Sequence, residues 1–146
     1  MSDLFHKDVP FEFVDKVMSV IRRTPQHRYQ LLTKRAERMA EYFFVHEIPK
    51  NAWLGVTVEA QSSKLRIDCL RGLDAPIRFL SCEPLIEDLG ELNLENIDWV
   101  IVGGDSCYLD FGLCVCDLSG SYFSICIYFL PFEPITIVRF APILIL

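Results

Sequence analysis

Four short segments of the chain repeat one chemical pattern: LLTKR (31–35), GVTVE (55–59), FLSCE (79–83) and IVGGD (101–105). Each passes from apolar residues to a small one (Thr33, Thr57, Ser81, Gly103), then a variable position, then a charge (Arg35, Glu59, Glu83, Asp105). Glu59 and Glu83 are candidate catalytic groups, suited to act as an acid/base pair or as oxygen ligands for a hard cation. Pro84 gives Glu83 a competing role in turn geometry. Cys82 is a candidate nucleophile if Lys34 or Arg35 approaches closely enough to favour the thiolate, and otherwise buried filler. Lys34, Arg35 and Arg38 gather at the expected start of a helix. There the macrodipole disfavours each cation by about 0.3–1 kcal/mol and a phosphate or carboxylate would relieve the cost. Pairing of Arg35 with Glu37 or Glu59 is the competing reading. Gly103, Gly104, Asp105 and Ser106 complete the candidate ligand-binding set, the glycines because they admit close backbone approach.

These residues share a site only if the segments between them bring the four strands side by side. The small residues fall 24, 24 and 22 positions apart, room for one strand, one helix and two short loops. RAERMAEYFFVHEI places Met39, Tyr42 and Phe43 at helical spacing, and QSSKLRIDCLRGL places Leu65, Cys69 and Leu70 on one face with Gly72 as a stop. FEFVDKVMSVIRR, after Pro10, predicts an amphipathic helix with Phe13, Val17, Val20 and Ile21 as its apolar stripe. PLIEDLGELNLENI is less periodic and reads as a loop with a short helix. The expected fold class is α/β, with about four parallel strands joined by crossover helices. A doubly wound sheet satisfies this pattern, but the near-constant repeat favours a partial (β/α) barrel, since a complete one takes roughly 250 residues. In either architecture ligands gather at the carboxyl ends of the strands, where these polar groups fall.

Composition divides the chain of 146 residues, whose net charge is −6. Residues 1–106 are densely charged and read as a partial-barrel domain. Residues 107–146 carry Arg139 against Asp110, Asp117 and Glu133, no lysine, and Cys107, Cys114, Cys116 and Cys126 of the six cysteines. That tail is hydrophobic, cysteine-rich and atypical of the domain before it. The acidic balance argues against bulk nucleic-acid binding, and a basic patch around Arg22, Arg23, His27 and Arg28 is read first as favourable charge at a helix C-terminus. MSDLFHKDVPFEF has no signal-peptide character, so a cytoplasmic location with reduced thiols is expected. The longest uncharged run, residues 118–132, is too short to span a membrane. No metal site is expected: Cys114 and Cys116 are one residue apart, and His27 and His46 lack zinc spacing.

SDLFH (2–6), TPQH (24–27), LTKR (32–35), WLGVTVE (53–59), RFLSCEPL (78–85) and DWVIVGGDS (98–106), in this order, resemble a phage-type bacterial family of unknown function. The family is related to the radical S-adenosylmethionine enzymes. The resemblance implies a partial barrel, with S-adenosylmethionine and an iron–sulfur cluster as cofactors. It also implies a cysteine-rich segment and a strand upstream of SDLFH, and a glycine/proline loop, charged helix and strand beyond Ser106. This chain matches an internal part of that pattern and departs from it after Ser106. It is therefore expected to hold no cofactor of its own and to lack cluster-dependent catalysis alone, with an upstream fragment as a partner completing the barrel. The tail is read as a shifted frame or gene remnant, or else as a true appendage in which ICIYFL and ITIVRF are strands. Two further functions stand beside this one: a non-catalytic module binding a small anion, nucleotide or nucleic acid through Lys34, Arg35 and Arg38, and a truncated product with no selected function.

Overall fold

A computed structural model describes residues 3–102, together with the backbone of residues 126–129. Helix α1 (Phe11–Arg23) leads into β1 (Tyr29–Thr33), α2 (Ala36–Val45), β2 (Ala52–Thr57), a short 3-10 turn, α3 (Leu65–Arg71), β3 (Arg78–Cys82) and β4 (Trp99–Val102). A further strand, β5 (Cys126–Phe129), lies within ICIYFL. Strands β1 to β4 pair in parallel in their chain order, and β5 pairs antiparallel with β4. A doubly wound sheet reverses its strand order at a switch point; the described strands show no reversal. No helix among the described residues is long and apolar enough to cross a membrane.

One face of the sheet carries the main core. Leu31, Leu54, Val56, Leu80 and Val100 pack there with Val14, Met18 and Ile21 of α1, Met39, Tyr42 and Phe43 of α2, and Ile67 and Leu70 of α3. All three helices therefore cover the same face, as in a (β/α)-barrel wall. Strand side chains alternate between faces, so Trp53, Gly55, Thr57, Phe79, Ser81 and Trp99 share the other. Trp99 meets Trp53 edge-on at 5.9 Å and Phe79 at 5.5 Å between ring centroids. Gly55 is required by this second face. A Cβ there would lie 2.3 Å from the nearest carbon of the Phe79 ring, which leans across β2.

The helices correct two expected stripes. In α1 the buried residues are Val14, Met18 and Ile21, whereas Phe13 and Val20 are 52% and 46% exposed. Apolar residues occupy two overlapping helical stripes one position apart, and contact with the sheet selects the second. In α3, Ile67 and Leu70 are buried while Leu65 is exposed, because the preceding 3-10 turn leaves Leu65 at the outward side of the first turn. Gly72 does cap α3, with right-handed backbone rather than the left-handed conformation that glycine uniquely favours.

The third connection contains no helix. Leu89 and Ile97 are buried and Leu85, Leu92 and Leu94 partly so, pinning the loop to the core with spaced apolar contacts. Arginines supply the order that a helical hydrogen-bond ladder would have given. Arg71 donates to the carbonyls of Asn93 and Glu95, and Arg78 to that of Asn96. Lys64 donates to the Glu91 carbonyl.

The sheet register revises the fourfold repeat. Thr57 pairs with Ser81, as the repeat predicts, but Thr33 pairs with Val56 and Ser81 with Ile101. Thr33 therefore faces the helices, while Thr57 and Ser81 face away. Sequence spacing counted residues between strands, whereas the stagger of neighbouring strands decides which residues stand level.

Candidate functional site at the strand ends

The end of β1 is built around Asp3. Its carboxylate accepts from the Thr33 hydroxyl at 2.7 and 2.9 Å, from Lys34 N–H at 3.2 Å and from Phe5 N–H at 3.0 Å. Phe5, only 1% exposed, anchors the segment by packing its ring against Tyr42 and Phe43. Thr33 Oγ1 in turn accepts from Arg35 N–H at 2.8 Å, fixing the turn into α2. A carboxylate satisfied by three donors and tied to a buried aromatic makes a rigid strand end.

Glu59 joins this end to its neighbours. Its Oε1 lies 3.0 Å from Lys34 Nζ and its Oε2 3.0 Å from Arg66 Nη1. Arg66 also donates to the Thr57 carbonyl at 2.6 Å, so α3 is bound to the last residue of β2. Backbone contacts extend the junction: Ser63 Oγ accepts from the N–H groups of Glu59 and Ala60, and the Glu59 carbonyl accepts from Ile86 N–H. Burial alone would raise the Glu59 carboxyl, but the Lys34 hydrogen bond and the charges of Arg66 and Lys34 outweigh it and hold the group below its ordinary range. Glu59 is an ionised hub.

The remaining expected residues divide by setting. Cys82 is 2% exposed on the helix-facing side; burial first, and the Glu59 charge second, push its thiol up to about 11. Lys34, the cation expected to activate it, is engaged by Glu59 instead, so Cys82 is a protonated packing group. Arg38 is turned toward α1: Nη2 donates to the Val9 carbonyl at 2.6 Å, and its guanidinium lies 4.4 Å from the centroid of the Phe11 ring. It is thereby separated from Lys34 and Arg35 in use, if not in sequence. Arg35, exposed at the N-cap of α2, and Glu83, half-buried just past β3, make no side-chain hydrogen bond or ion pair among the described residues. Gly103, Gly104, Asp105 and Ser106 lie outside the described residues.

Asp3 and Arg66 were missed by the strand-end pattern. Asp3 precedes the first helix and Arg66 stands on α3, so neither occupies the repeated offset. The SDLFH motif was the available pointer to Asp3; only the fold reveals Arg66. A separate groove borders Arg22, Phe43, His46, Lys50, Asp68 and Leu73, away from the strand ends.

Together these observations define an α/β protein with four parallel strands and a polar, ion-paired face at the carboxyl ends of β1 and β2. The chain belongs to the family described as Protein of unknown function (DUF5131), whose model matches residues 1–109. No curated protein and no solved structure matches it.

Proposed function

We propose that this chain forms part of a barrel of the phage-type, radical-S-adenosylmethionine-related class, and that its strand-end face binds a small anionic group. The carrying observation is the division of labour among its cations. Lys34 and Arg66 share the Glu59 carboxylate and Arg38 is held by Val9 and Phe11, which leaves Arg35 uncommitted at the N-terminus of α2. A ligand phosphate or carboxylate there meets one guanidinium and the free N–H groups of the first helical turn. Glu83, just past the end of β3, is the general base or hydrogen-bond acceptor for the rest of such a ligand.

The described residues do not fit an iron–sulfur cluster. Within residues 3–102 the cysteines are Cys69 on α3 and Cys82 within β3, the latter buried and protonated, whereas a cluster takes several converging thiolates. No step through a cluster is assigned to these residues. The four parallel strands are half of a closed barrel's eight, so cluster chemistry of the related enzymes would draw on additional strands. Association with a segment that supplies them is the partner this reading favours.

Calorimetric titration with inorganic phosphate tests the anion site. The wild-type chain should bind, and Arg35→Ala should weaken binding about tenfold or more without lowering the melting temperature. Unchanged affinity in Arg35→Ala would remove the proposal.

A further inference from the structure

The sheet face turned away from the helices holds a pair of hydroxyls that the folded chain does not use. Thr57 and Ser81 are 5% and 7% exposed, yet neither side chain forms a hydrogen bond among the described residues. Gln30, 5% exposed on the same face, is likewise unused. Polar side chains this covered normally find a partner in the protein or in ordered water. The oxygens of Thr57 and Ser81 are not sealed away from solvent either, so they can be reached.

Their placement adds a direction. Thr57 and Ser81 are register partners on adjacent parallel strands, about 4.8 Å apart along the hydrogen-bonding direction. One acceptor atom set midway and about 1.5 Å above the line joining two such hydroxyls receives a hydrogen bond of about 2.8 Å from each. Two residues back along each strand, the Phe79 ring lies over Gly55. Next to it stand Trp53 and Trp99. This face is thus aromatic at the level of Phe79 and hydroxyl-bearing at the level of Thr57 and Ser81.

We infer that Thr57 and Ser81 are a ligand-binding pair that jointly donates to one acyl oxygen, of a carboxylate or carboxamide group, held above the Phe79 ring. This deepens, and rests on, the reading of the strand ends as a binding face. It makes Thr57 and Ser81 contacts for the body of the ligand, whereas Arg35 selects its charge. The hydroxyls themselves do not require a negative charge on the acceptor.

Acetate and acetamide separate the two roles, because they share the acyl oxygen and differ in charge. Saturation-transfer NMR with each probe should detect binding to the wild-type chain and a loss of about tenfold in the Thr57→Val/Ser81→Ala double variant, whose two hydrogen bonds are gone. Its melting temperature should stay level, since neither hydroxyl makes a hydrogen bond among the described residues. Thr57→Ser should retain binding, which keeps the test valid if the double variant folds poorly. A fall in melting temperature with binding intact would make the hydroxyls structural and overturn the inference. So would failure of both probes to bind the wild type. Acetate binding that depends on Arg35 but not on the hydroxyls would overturn this pair and leave the anion site standing. Acetamide binding equal to acetate, and dependent on the hydroxyls, would uphold the pair and overturn the anion site.

Discussion

Lys34 Nζ stands 3.0 Å from Glu59 Oε1, closing an ammonium at the end of β1 onto a carboxylate at the end of β2. Half of the Lys34 side chain is exposed, while Glu59 is only 14% exposed and holds Arg66 with its other oxygen. The pair is therefore unequal: Glu59 is the member whose removal affects several partners.

Glu59→Gln should destabilise the chain by about 1–3 kcal/mol, because charge-assisted bonds to two cations are lost. Lys34→Met should cost about 0–1 kcal/mol, as expected for an exposed partner. Denaturant unfolding of the two variants checks the ordering; equal losses would show that Glu59 is not the hub.

The pH dependence of stability follows from the same carboxylate. Its pKa is lower in the folded chain than in the unfolded one. Its contribution is therefore full above the ordinary carboxyl range and is lost as pH falls through the folded value. Unfolding measured from neutral to acid should show a shallower loss of stability in Glu59→Gln than in the wild type.

Asp3→Ala should cost about 1–3 kcal/mol, since the Thr33 hydroxyl and two backbone N–H groups lose their acceptor. Asp3→Asn, which keeps one acceptor oxygen, should recover part of the loss. Thermal melts of the two variants measure the difference.

Cys82 should resist alkylation at neutral pH in the folded chain, with its thiol pushed up to about 11 and its surface covered. Peptide mapping after brief maleimide treatment should find Cys82 modified only under denaturing conditions. Rapid native labelling would restore it as a candidate nucleophile.

Gly55→Ala should destabilise by about 1–3 kcal/mol through collision with the Phe79 ring. Phe79→Leu in the same chain should relieve much of that penalty. Comparing single and double variants by chemical denaturation detects the coupling.

The strands were legible because apolar runs ending in a small residue and a charge survive any detail of packing. Lys34 and Glu59 were correctly placed near one another for the same reason. Register was not legible: Thr33 and Thr57 look equivalent in LLTKR and GVTVE, yet they face opposite sides of the sheet. The α1 stripe was ambiguous because Phe13, Val14, Val17, Met18, Val20 and Ile21 offer two apolar lines, and only contact with the sheet chooses. Arg38 and Cys82 had the right chemistry at the right offset, but tertiary neighbours claimed the first and burial quenched the second. The missing helix before β4 left a sequence signal, the weak periodicity of PLIEDLGELNLENI, without revealing what replaces it.

Arg71 and Arg78 grip this connection by its carbonyl oxygens, which every amino acid possesses. Side chains along the connection can therefore change without loosening the grip, provided the backbone path and the apolar anchors persist. The burden of constancy falls on Arg71, Arg78 and Lys64 outside it, and the segment they restrain is free to acquire new surface chemistry within reach of Glu59 and Gln61, which Ile86 and Asp88 already touch.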